Sequence, residues 1–152
     1  MQYRFGSSSK IIVARIDDGE ELLSSLEKIA TENNIEVGSV QSIVGGVRDL
    51  KFSHFKKEDQ KEAKSAFSEL KGPCNFFASG IFMPDAKTKA PVFHIHFSAG
   101  LFGRDTRMCH LIRATAHFYC DVIISVIEDI NVVKKQFDAL PDVEHAKITE
   151  FM

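Results

Sequence analysis

The chain has no tryptophan, only two tyrosines and four prolines, and three cysteines among 152 residues. Cys74, Cys109 and Cys120 are an odd set with no close-spaced zinc pattern. Neither a disulfide framework nor a cysteine-based metal site is therefore indicated. No apolar run is long enough to span a bilayer, and Met1–Phe5 lacks the apolar segment of a secretory signal. A cytoplasmic protein with no membrane partner is expected. A basic excess is also missing, since the formal net charge is −2. Nucleic-acid affinity draws largely on neutralised phosphates, so net charge gives no support to direct DNA association. What remains is ordinary for a globular chain: 44% apolar and 26% charged residues. That length suits one domain over residues 1–152 and is short for two. Internal repeats and low-complexity tracts are absent.

Residues 10–16 are β-branched and read as a strand. Asp18 is placed to cap a helix, with Glu21 completing a capping-box-like pair. Leu22, Leu23, Leu26, Ile29 and Ala30 then follow helical spacing, and Asn33-Asn34 should end the helix. Residues 35–55 read as two strands separated by a bulge or bend at Gly45-Gly46. Residues 56–71 look like an exposed connection ending in an irregular strand, and Gly72-Pro73 like a turn. Strands are expected at 75–83, 92–99, 107–117 and 121–128, with a polar loop at 84–91. The tail from Asn131 onward has few signals beyond a short strand at 147–151. The expected fold class is α+β: a mostly antiparallel sheet packed with one main helix and short helices.

The chemistry concentrates in three histidines. His94 and His96 lie on the alternating run Val92-Phe93-His94-Ile95-His96-Phe97, so they share one face of a strand. His110 follows after a glycine-containing connection, Gly100–Arg104. A hairpin turning near Phe102 would set His94 opposite His110 and His96 opposite Met108, all on one face. Three imidazoles so placed suit a divalent transition metal, zinc above all, with one coordination position open. A metal held this way could polarise a carbonyl or activate a water. Local spacing puts no acid or base beside it: Asp49, Asp85, Asp105 and Glu128 read as solvated surface residues. His117 has the opposite strand parity and is excluded as a ligand, His54 reads as a core-edge residue, and His145 as exposed.

These segments resemble the PPC domain, the plants-and-prokaryotes conserved domain, from about Ile12 to Glu128. The resemblance rests on their order: a Gly-Glu helix start, Ile43-Val44-Gly45-Gly46-Val47-Arg48, Gly-Pro-x-x-Phe-x-x-Ser-Gly at 72–80, His94-x-His96, and His110-Leu111. It implies a compact α+β domain that assembles as a homotrimer. It also implies that His94, His96 and His110 correspond to a family histidine cluster able to hold a metal. Met108-Cys109 stands where the family usually has Gly-Gly. Pro73 and Asn75 replace the arginine and glutamate through which plant members contact transcription factors. The AT-hook fused to the plant domains is absent.

Phenylalanine is abundant, with 13 copies. Phe76 and Phe77 are adjacent, so both faces of their strand carry aromatics and one helix cannot cover both. A neighbouring subunit is a natural second cover, with the tail as the alternative. The preferred functional expectation is a trimeric, metal-bearing regulatory or DNA-associated module, with a protein or small-molecule partner. The alternatives are a metal-dependent enzyme acting on a small molecule and a trimer whose histidines only pack.

Overall fold

A computed structural model describes residues 1–55, 65–101, 105–138 and 147–152. The elements run β1 (Ser7–Asp17), α1 (Leu22–Glu32), β2 (Val37–Phe55), β3 (Ser65–Leu70), β4 (Cys74–Pro84), β5 (Pro91–Leu101), β6 (Asp105–Glu128), β7 (Val132–Gln136) and β8 (Lys147–Phe151). Six strands form one antiparallel sheet in the order β1-β6-β5-β4-β2-β3. Strands β2 and β6 also pair directly, so β2, β4, β5 and β6 close a ring. Strands β7 and β8 form a separate hairpin.

The inner face carries the alternate apolar residues of every strand in the ring, including Ile43, Phe76, Ile95, Phe97 and Val122. Phe97 stacks on Phe76 and meets Phe52 edge-on. Helix α1 adds Leu22, Leu26 and Ala30 to this core. The outer face is different. Ile11, Val13, Val44, Phe77, Ile81 and Ile123 all lie exposed on it. Phe76 is 3% exposed and its neighbour Phe77 is 51%, which is the split that adjacent strand residues should show. The β7–β8 hairpin covers one end of this face, where Val132 packs with Val37 and Met83.

Several expectations change. The helix is capped by Glu21 itself, whose carboxylate accepts from the Leu23 and Ser24 amides at 3.2 and 2.7 Å. Asp18 does not cap it. A tight turn at Gly19 (φ +87) carries Asp18 away, and its carboxylate accepts from Arg48 and from the Phe118 amide. The end of the helix is as expected, with Asn33 as C-cap and Asn34 at φ 53. Beyond α1 there is no helix among the described residues, so the short helices expected from sequence do not form there.

Residues 37–55 make one strand rather than two, and 105–128 likewise. In both cases the suspected break is a bulge in a continuous ladder. Gly46 pairs with His117 and Gly45 with Cys120, leaving Phe118 (φ 67) and Tyr119 as extra residues. Glycine is required at 45, because a β-carbon there would lie 2.2 Å from the Tyr119 carbonyl oxygen. The β3 strand at 65–70 and the final strand at 147–151 form as expected. The remaining connection at 56–64, Phe102 and His145 lie outside the described residues.

Candidate metal centre

His96 lies opposite His110 in the β5–β6 ladder, and Leu101 opposite Asp105. The expected register, His94 opposite His110, is therefore off by two residues. The hairpin closes one residue later than a turn centred at Phe102 would allow. A slip of two keeps every side chain on its face, whereas a slip of one would have dispersed the cluster.

The three rings converge on the outer face. Their centroids are 5.2, 5.2 and 5.3 Å apart. One nitrogen from each lies within 4.8 Å of the others, and the His94 and His96 Nε2 atoms are 3.2 Å apart. Bonds of about 2.0–2.1 Å to a tetrahedral ion put neighbouring ligand atoms about 3.3 Å apart. The donor set fits a divalent metal of the zinc type both in chemistry and in spacing.

The scaffold holds the rings from behind. Ile95 is buried between His94 and His96 and anchors their strand in the core. His110 has Ser53 of β2 on one side and His96 on the other. Gly80 lets β4 approach β5 closely, since a β-carbon there would meet the His94 carbonyl oxygen at 2.1 Å. Burial lowers the His94 pKa from the ordinary imidazole value, and the charges of Lys134 and His96 lower it further. All three favour the neutral, metal-ligating form.

The other histidines stay out of the cluster. His54 contacts Phe52 and is 3.0 Å from Ser68 Oγ, a packing role at the core edge. His117 is absent for a different reason from the one expected. An extra residue near Ile112 shifts the alternation of β6, so the buried positions run Leu111, Ala114, Ala116 and Cys120. His117 thus turns to the outer face, but it lies far along the strand, where Arg48 donates to its Nδ1 at 3.0 Å.

None of the four carboxylates considered from sequence joins the histidines. Asp85 is not solvated either. It is buried, accepts from the Lys87 and Thr88 amides, and pairs with Lys147 of β8. The Lys147 ammonium, followed by the Thr88 amide, holds its carboxyl well below the ordinary carboxylate range. A depressed carboxylate pKa contributes stability above the unfolded value of about 3.9, lost as pH falls through the folded pKa. The gap in urea midpoint between the native chain and Asp85→Asn should therefore be wide at pH 7 and shrink below about pH 4. An equal gap at pH 7 and pH 3 would show that the pair adds no stability.

The three cysteines are unpaired thiols. Burial raises the pKa of each, that of Cys120 to about 11, which makes them poor nucleophiles. Cys109 faces inward beside His110, while Met108 stands exposed on the outer face. Sequence reasoning missed one residue altogether: Lys134, buried on β7, whose ammonium donates to Thr149 of β8. A lysine in a weakly patterned tail carries no local sign of burial.

The fold and this geometry can be set beside known proteins. The family profile described as Plants and Prokaryotes Conserved (PCC) domain matches residues 3–128. A plant- and prokaryote-conserved protein of Pyrococcus horikoshii superposes with a TM-score of 0.83 at 18% identity, covering 100% of this chain and 99% of that one. A metal-containing protein of Archaeoglobus fulgidus does so with a TM-score of 0.79 at 22% identity, covering 100% and 99%. A candidate DNA-binding protein of Bacteroides thetaiotaomicron gives 0.75 at 14% identity, covering 97% and 99%. At these identities the likeness establishes a shared fold. No curated protein sequence matches the chain. Among the described residues no helix is long and apolar enough to cross a membrane.

Proposed function

We propose that this chain, which belongs to the Plants and Prokaryotes Conserved domain family, is a cytoplasmic zinc-bearing module that works as a homotrimer and regulates through what it binds. The observation that carries this reading is the convergence of His94, His96 and His110 on an outer face that the helix does not cover. A bound zinc ion would supply a Lewis-acidic position for an exogenous small molecule. Three imidazoles would hold it, and among the described residues no carboxylate joins them. Trimer assembly is supported by the apolar outer face, where Ile11, Val13, Val44 and Phe77 lie exposed. The β7–β8 hairpin shields only one end of that face.

One similar structure is described as a candidate DNA-binding protein, but the net charge here is −2. Contact with DNA through a partner protein fits that charge better than direct binding. A second reading is a metal-dependent enzyme acting on a small molecule at the open coordination position of the three-histidine cluster.

Two measurements on the purified protein test the proposal. Elemental analysis should give about one zinc per chain, and sedimentation should give a mass of three chains. A chelator-treated sample that matches the zinc-loaded one in metal content and melting temperature would refute the metal reading. A monomer at micromolar concentration would refute the trimer. DNA retardation that survives moderate salt would favour direct binding over the partner route.

A further inference from the structure

A second group of side chains gathers at the bulge in β6, away from the three clustered histidines. A groove of about 880 Å³ opens there, a size that suits a small molecule. Phe118 and Tyr119 of the bulge line it, together with Asn75, Thr106 and His117. Both aromatic residues are exposed.

The histidine is held in one tautomer. Arg48 Nη1 is 3.0 Å from His117 Nδ1, and a guanidinium can only donate, so Nδ1 accepts. A neutral ring then carries its proton on Nε2, and no partner of that nitrogen occurs among the described residues. Arg48 is itself fixed and neutralised by Asp18 at 2.7 Å. The same carboxylate accepts from the Phe118 amide at 3.0 Å. Phe118 sits at φ 67, a left-handed conformation that is costly for a bulky side chain and recurs where ligands are clamped. Asp18 thus holds both the arginine that sets the histidine and the strained residue that brings an aromatic ring to the groove.

We propose that this groove binds a small, uncharged, planar heteroaromatic molecule bearing a carbonyl-type acceptor. His117 Nε2–H donates to the carbonyl oxygen, and Phe118 and Tyr119 supply aromatic faces. Arg48 and Asp18 are positioning residues. Free charge is what the groove lacks: among the described residues no Asp, Glu, Lys or Arg lines it. Arg15, which backs the Tyr119 ring, is paired with Asp121. An anion would lose hydration with no counter-charge in return. A saturated ring of equal polarity would forgo the aromatic contact. None of the three clustered histidines takes part, so metal binding and this site stand or fall separately.

Nicotinamide is the probe, titrated into the full, isotope-labelled chain at about pH 8, where an ordinary imidazole is neutral. Imidazole nitrogen resonances should show His117 as the Nε2–H tautomer before any addition, and that signal should then shift saturably. Nicotinate, the anionic counterpart, and cyclohexanecarboxamide, the saturated one, should each bind at least about fivefold more weakly. His117→Ala should weaken nicotinamide binding by about fivefold to tenfold, the loss expected for one neutral hydrogen bond, while its urea midpoint stays close to native. If that variant does not fold, His117→Phe, which keeps a ring without the N–H, serves instead. An Nδ1–H ring in the native chain, either counterpart binding as tightly as nicotinamide, or undiminished affinity in the variant would overturn the proposal. So would a His117 signal indifferent to nicotinamide.

Discussion

Replacing His110 with alanine is expected to lower zinc affinity by at least about a hundredfold, since even residues that only orient metal ligands contribute about 10- to 100-fold. His110 is the member of the cluster supplied by a different strand. His94 and His96 come from β5 alone, and without His110 only two imidazoles remain to hold the ion. The affinity can be measured by competition with a chromophoric chelator. His54→Ala and His117→Ala are the controls, because both rings contact other partners. Their affinities should stay within a few-fold of the native chain, while His94→Ala and His96→Ala should fall with His110→Ala. Undiminished zinc binding in His110→Ala would show that the three rings do not act as one ligand set.

Gly80→Ala should give the larger effect on stability. Gly80 lies opposite Ile95, between the two histidines of β5. Its added β-carbon would stand 2.1 Å from the His94 carbonyl oxygen and 2.8 Å from the Ile95 α-carbon. Both are backbone atoms, so relief requires β5 to move away from β4. Overpacking of a tight site costs about 1–3 kcal/mol and occasionally more; a clash with two backbone atoms of β5 places this change at the upper end. The movement would also shift His94, so zinc affinity should fall together with the urea midpoint. Gly100→Ala is the matched control, since its β-carbon would meet nothing within 4 Å. Equal midpoints for the two variants would mean that the β4–β5 spacing is looser than described.

Much of this chain is legible without its structure wherever the signal is local. The helix from Leu22 follows from apolar spacing, and its end from two asparagines. The cap was harder: Asp18 and Glu21 are both acceptors near the start. Only the fold shows that Asp18 is drawn to Arg48, thirty residues away in sequence. The two long strands read as pairs because glycines and an acidic residue interrupt their patterns. In the sheet those interruptions become bulges, since β2 keeps pairing with β4 and with β6 across Gly45-Gly46.

The sequence by itself determined that His94, His96 and His110 share a face. Parity depends only on counting residues along a strand and across a turn, and it survives a two-residue slip. It did not determine which histidine opposes which, because that depends on how the connection closes. Nor could it show Lys134 buried, since a lysine's burial is set by how remote segments pack. Periodicity is written into the chain locally; proximity between remote segments exists only once the sheet has closed.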